Sequence, residues 1–249
     1  AAAREVDAGD GPPISGIVAF VDLTLGDLLE QAIVAHRDAS DGRLRGVRHT
    51  TGWDPSDEIV QGHGNPYEGI MGSDEFRSGL QEVAAAGLTF ESWLFHPQLP
   101  ELAAMAADIP ELTVVIGHLG APLGVGPYRE HQTEVVGEWQ ASMAACAAQP
   151  NVVVKLGGIG LDMLFGTGWS ELDRPPGSEE VAEYWSDRVR FCVDTFGPHR
   201  CMFESNYPID RETLPYPVIW NAFQIMAAEY SAAEQDDLFS GTAKRSFRL

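Results

Sequence analysis

His118 lies in Thr113-Val114-Val115-Ile116-Gly117-His118-Leu119-Gly120, an apolar run that breaks on glycine. Strands buried on both faces are continuous apolar runs, so this is the pattern of a central parallel strand with an imidazole at its carboxyl end. An imidazole there can ligate a metal, move a proton or steady an oxyanion; it can also be a core histidine bonded to a backbone carbonyl. Other apolar runs end the same way. Asp22, the pair Arg48-His49, His96, Lys155 and Glu204-Ser205-Asn206 all stand where a strand pattern gives out. Such residues are rarely buried unless paired. Arg48 can grip a carboxylate by two parallel hydrogen bonds or anchor a loop through an ion pair. Arg48 and His49 are adjacent, so only one can face inward from a regular strand. Lys155, inside Val152-Val153-Val154-Lys155-Leu156, needs a partner: a substrate anion, or an Asp or Glu from a neighbouring strand. His96 precedes Pro97, which keeps it extended, as a pocket donor or a rim residue. His36, His131 and His199 read as surface positions, Trp53 and Trp93 as packing, and His63 as a loop residue that could close over a ligand.

Alternating strand and helix patterns supply the elements that would carry these groups. Strands are expected at 14–20, 44–49, 88–95, 113–117, 152–156 and 200–205, and helices at 27–39, 74–86, 100–107, 134–148, 178–196 and from Tyr216 onward. Ser178 is the expected N-cap of its helix, with Glu180 in the first turn. Residues 50–73, rich in Gly and Pro, read as an active-site loop, and residues 157–168 as a Gly-rich loop. Neither a repeat nor a domain break interrupts the series, so residues 1–249 are expected to form one domain. Repeating βα units predict a parallel sheet. A (β/α)8 TIM barrel needs eight strands, and six are visible. The expectation is an α/β TIM barrel incomplete at the N-terminus, with the missing strands placed before Ala1. An open doubly wound sheet is the alternative; no Gly-rich phosphate loop follows any strand to support it.

Composition narrows the partners. The chain has 249 residues, 44% hydrophobic, and a formal charge of -21 from 37 acidic and 16 basic residues. A surface this acidic is a poor match for nucleic acid or an anionic membrane. No apolar run reaches the roughly 20 residues of a membrane span. Cys146, Cys192 and Cys201 are too scattered for a disulfide framework, which points to a reducing cytoplasm. A small anionic molecule is the expected ligand; homo-oligomerisation is left open.

Several segments together resemble the amidohydrolase superfamily, closest to its amidohydrolase-2 group of TIM-barrel hydrolases. They are Arg45-Gly46-Val47-Arg48-His49, Phe95-His96-Pro97-Gln98-Leu99, Val115-Ile116-Gly117-His118-Leu119-Gly120, Val154-Lys155-Leu156-Gly157-Gly158, Phe203-Glu204-Ser205-Asn206-Tyr207-Pro208 and Phe239-Ser240-Gly241-Thr242-Ala243-Lys244. That group includes 2-pyrone-4,6-dicarboxylate lactonase, 4-sulfomuconolactone hydrolase, sugar lactonases and several decarboxylases. The resemblance implies water attack on the polarised carbonyl of a small carboxylated lactone, with a metal-dependent decarboxylase or a non-catalytic barrel fragment as alternatives. It also implies a divalent metal, zinc or manganese, held by a His-x-His pair on the first strand, a middle-strand His and a last-strand Asp. His118 matches the middle ligand; the His-x-His pair is absent here, so metal is expected of a longer form rather than of this chain. Asn206 stands in the place of the last-strand Asp, the usual general base. The expected catalytic set is His118, Asn206 and Asp210, and the expected substrate-binding set is Arg48, His49, His96, Lys155 and Tyr207. On this reading, Asn206→Asp would restore a base.

Overall fold

The computed structural model describes residues 14–249. Six strands form one parallel sheet in sequential order: β1 Ile17–Phe20, β2 Leu44–Thr50, β3 Thr89–Trp93, β4 Val114–Ile116, β5 Val152–Leu156 and β6 Cys201–Phe203. Helices α1 Leu29–Ala39, α2 Asp74–Ala85, α3 Leu99–Asp108, α4 Gln132–Ala147 and α6 Ser178–Phe196 lie in the connections, with a short α5 at Asp162–Phe165. Past β6 come α7 Tyr216–Ala227, α8 Ala232–Asp236 and α9 Thr242–Phe247. This is the expected run of βα units. Among the described residues β1 and β6 do not pair, so the sheet is open. No described helix is long and apolar enough to cross a membrane.

Helix ends follow local chemistry. Ser73 caps α2 by accepting from the Phe76 amide at 3.3 Å, and Phe76, Leu80 and Val83 bury one stripe of that helix. At α6 the cap falls one residue earlier than expected. Gly177, not Ser178, is the N-cap, and its amide donates to the Glu180 carboxylate at 2.6 Å.

Register decides what faces the site. Arg48 pairs with Glu91, Glu91 with Val115, Val115 with Val153, and Lys155 with Met202. Side chains alternate along a strand, so these residues share one face of the sheet. The opposite face, with Val47, Phe90, Val114, Ile116, Val154 and Leu156, packs against the helices and forms the large core. On the site face Val115, Val153, Met202 and Phe247 make a second, smaller core, joined by Val18 and Ala243. Phe247 comes from α9, which folds under the sheet; Thr89 Oγ1 donates to the Ser246 carbonyl at 2.7 Å and pins it there. The Lys155 ammonium lies 5.6 Å from the centre of the Phe247 ring. The polar site therefore stands on an apolar floor supplied by the last helix.

Phe247→Ala should remove that floor. A buried Phe-to-Ala change costs about 3–5 kcal/mol. Denaturant unfolding should show a loss of that order. Unchanged stability would mean that α9 does not seal the sheet.

Candidate active site

Residues on or just after five strands converge on one charged network. Glu91, in the middle of β3, is 1% exposed, and a carboxylate there must be paired. It contacts Arg48 Nη2 from β2, and its other oxygen lies 2.6 Å from Lys155 Nζ of β5. Lys155 also lies 3.2 Å from Glu204, just past β6, and Glu204 lies 2.7 Å from His118 Nδ1, just past β4. Burial pushes the Glu204 carboxyl up, but Lys155 and His118 beside it outweigh burial and hold it well below the ordinary carboxylate range. Burial would likewise lower Lys155; Glu204 and Glu91 reverse this, and its pKa lies above the ordinary value. With Glu204 ionised, His118 Nδ1 is the donor, and Nε2 is the ring nitrogen not engaged by Glu204.

The backbone is bent to make this meeting possible. His118, Leu119 and Asn206 all have positive φ (50°, 55° and 51°), an uncommon conformation for side-chain-bearing residues and a feature that clusters at functional sites. The Trp139 indole of α4 donates to the Leu119 carbonyl at 2.7 Å and holds the bend from behind. The Gly-rich loop after β5 passes directly over the network. A Cβ on Gly157 would lie 2.0 Å from Glu204 Cγ, and one on Gly158 would lie 2.6 Å from His118 Nδ1. Only glycine fits this close approach.

Asn206 does not act as the missing base. Its amide donates to Asp210 Oδ1 at 2.6 Å, and the Gly160 amide donates to Asp210 Oδ2 at 3.0 Å. Burial pushes the Asp210 carboxyl up to about 6, partly offset by these two donors. Asp210 is 1% exposed and fully engaged; it positions Asn206 rather than reaching the pocket. Tyr207 lines the pocket, with its hydroxyl donating to the Leu214 carbonyl at 3.0 Å.

The pocket so formed has a volume of about 330 Å³ and is lined by Arg48, Glu91, Lys155, Glu204, Asn206 and Tyr207, with Val18 and Ser205. A larger hollow of about 480 Å³ lies between α1 and α2, but its lining, Asp27, Glu30, Arg37 and Glu82 among apolar residues, gathers no nucleophile or imidazole. The strand-end pocket is assigned as the site because two cations and two carboxylates meet there, with the His118 imidazole bonded to one of them.

Two expected site residues stand elsewhere. His49 turns to the helix side, 1% exposed, between the rings of Phe20 and Phe76, and its Nδ1 accepts from the Leu23 amide at 3.1 Å. It is a core histidine because Arg48 takes the inward position. His96 is also buried, edge-on to Tyr128, with Nδ1 accepting from the Leu123 amide at 3.4 Å. It supports the loop after β4, where Tyr128 in turn donates to Asp54 at 2.6 Å. Neither histidine touches the ionic network, whereas His118, itself behind the pocket wall, is joined to the pocket through Glu204. Glu91, which completes the network, is the residue a sequence reading passes over. A carboxylate within Thr89-Phe90-Glu91-Ser92-Trp93 and the unassigned partner of Lys155 were the signals for it.

The amidohydrolase family model matches residues 6–249. The chain belongs to the amidohydrolase family. It is 26% identical over 243 residues to L-fucono-1,5-lactonase of Burkholderia multivorans, covering 97% of this chain and 74% of the relative. A crystallised amidohydrolase from Burkholderia multivorans, with HEPES bound, superposes with a TM-score of 0.77 at 25% identity, over 97% of this chain and 76% of that one. A second crystal form of that amidohydrolase, with zinc bound, gives the same TM-score at 24% identity, over 100% of this chain and 78% of that one. The fold is also that of a 2-pyrone-4,6-dicarboxylic acid hydrolase from Pseudomonas putida, with a TM-score of 0.59 at 19% identity, over 88% of this chain and 67% of that one. The chain is thus a hydrolase with the TIM-barrel type of architecture. Among the described residues of this amidohydrolase, no three His, Cys, Asp or Glu side chains converge as a metal would require, and His118 Nδ1 is engaged by Glu204. The donor set does not fit a divalent metal.

Two outcomes follow from these contacts. Asn206→Asp would place a second carboxylate against Asp210, so one of the pair would have to hold a proton. Hydrolysis should fall rather than rise, and a rate gain would mean that the Asn206–Asp210 bond does not matter. His96 makes one separable contribution to the pH dependence of stability. Burial lowers it from 6.5 to about 4. The unfolded chain therefore takes up its proton below pH 6.5 while the folded chain does not until about pH 4, so stability is lost as pH falls through that window. The full span is worth roughly 3 kcal/mol. Urea unfolding at pH 7 and pH 5 should show a wild-type loss about 2 kcal/mol larger than in His96→Gln. Equal losses would refute this assignment.

Proposed function

We propose that the chain is a lactonase for a neutral, polyhydroxylated lactone of the aldono-1,5-lactone class. The observation that carries this reading is the charge balance of the pocket. Two cations, Arg48 and Lys155, face two carboxylates, the buried Glu91 and the partly buried Glu204. A substrate carboxylate would compete with partners already in place, whereas sugar hydroxyls both donate and accept and can pair with either sign. The relatives that carry the name L-fucono-1,5-lactonase support the same class.

The chemistry is water addition to an ester carbonyl. His118 Nε2 takes a proton from water as its oxygen attacks, while Glu204 steadies the imidazolium through Nδ1. The Lys155 ammonium is the nearest positive charge for the carbonyl oxygen as it becomes an oxyanion. Collapse of the adduct breaks the bond to the ring oxygen, which leaves with the proton held on His118, giving the open hydroxy acid. Asn206, fixed by Asp210, offers its amide oxygen to the pocket.

A carboxylated lactone is the second reading. The Arg48 side chain is 33% exposed and contacts Glu91 through Nη2, so part of the guanidinium faces solvent at the pocket. Acid release followed at constant pH distinguishes the two. L-fucono-1,5-lactone should be hydrolysed with a kcat/KM at least about tenfold above that of a muconolactone, and His118→Gln should lose about 10²–10⁴-fold. Preference for the muconolactone would move the assignment to the second reading. Hydrolysis of neither would end the lactonase reading.

A further inference from the structure

We infer that Glu91 sets the charge preference of this pocket, excluding anionic lactones in favour of neutral ones. This rests on the lactonase reading and adds a residue that decides its substrate class. Glu91 shares its row across the sheet with Val115 and Val153. An apolar residue would continue the small core at that position, and a buried ion pair is seldom more stable than a well-packed hydrophobic replacement. The carboxylate is thus not what holds the sheet together. Its effect is on the two groups it touches. Arg48 and Lys155 are the cations lining the pocket, and Glu91 contacts both, one with each oxygen. Glu204 is divided differently: it contacts Lys155 and His118, and Arg48 acts on it only through space and more weakly than either. Removing the Glu91 charge leaves Arg48 with no described carboxylate partner and gives the pocket a net positive charge. Val115, on the strand between β3 and β5, is small enough for Lys155 to reach Glu91 across it. The spacing of the network therefore depends on Glu91 itself and not on a bridging side chain.

The test compares wild type with Glu91→Gln and Glu91→Asp at low ionic strength. It reads kcat/KM for L-fucono-1,5-lactone and for a muconolactone, and calorimetric binding of malonate as an anionic probe. In Glu91→Gln the ratio of anionic to neutral turnover should rise about a hundredfold, as expected for removing a like charge a few ångströms from the substrate in a partly screened site. Malonate should bind at least about tenfold more tightly, and the gain should shrink as salt is added. Glu91→Asp keeps the charge and should keep the wild-type preference. If both lactones lose rate equally in Glu91→Gln and malonate affinity does not change, Glu91 only positions its neighbours and the inference is overturned. If wild type hydrolyses neither lactone, the lactonase reading fails, while the malonate comparison still decides the role of Glu91. Should Glu91→Gln not fold, Arg48→Gln removes a cation while Glu91 stays; it should lower the anionic-to-neutral ratio about tenfold, and an unchanged ratio would overturn the inference.

Discussion

A carboxylate largely withdrawn from water at the end of a parallel strand must be paired, and Glu204 is paired twice, with the Lys155 ammonium and the His118 imidazole. Most of the site follows from that requirement. The His118 backbone adopts positive φ to bring the ring against Glu204, and Trp139 braces the bend. Lys155 reaches toward both Glu204 and Glu91, and this ties β5 to β3 and β6. Phe247 lies beneath Lys155 and closes the apolar side of the same contact. Loss of the Glu204 charge would leave a buried ammonium underpaired and an imidazole without the bond that fixes its tautomer.

Much of this was legible in the sequence, for a physical reason. Polar side chains that terminate apolar strands are conspicuous, and Arg48, His118, Lys155 and Asn206 all reach the network or its edge. Six parallel strands with helices between them were also readable, because continuous apolar runs and amphipathic stripes have different periods. What the sequence did not contain was register. Alternation required that either Arg48 or His49 face inward, and the pairing of Arg48 with Glu91 made the choice. Glu91 went unrecognised because it lies inside a strand, where a carboxylate makes sense only once the cations on β2 and β5 are known to stand beside it. His96 looked like a site residue from its place at a strand end, but the turn after β3 carries it to the Tyr128 side. Strand ends were overestimated by one to three residues, as at β1 and β6, where residues 14–16, 200 and 204–205 are partly buried or exposed and lie outside the strands.

The chain shares its fold with a Burkholderia multivorans amidohydrolase, and the pocket shows which positions on such a scaffold are free to set its chemistry. The strands fix where side chains emerge, and the identities at a handful of emergent positions fix the charge. Here those identities sum to neutrality, with an imidazole beside them. That combination suits acyl chemistry on an uncharged ring.

The paired glycines after β5 carry a consequence for how such a pocket can diversify. Because Gly157 and Gly158 pass within a side chain's width of Glu204 and His118, no mutation in that stretch can add a contact to the substrate without first dislodging the charged pair. Novelty is blocked on that wall. New recognition must enter from the opposite side, through the long segment after β2 and the turn after β4, where Asp54 and Tyr128 already bridge two loops outside the ionic network. The molecule is therefore evolvable along one flank and frozen along the other.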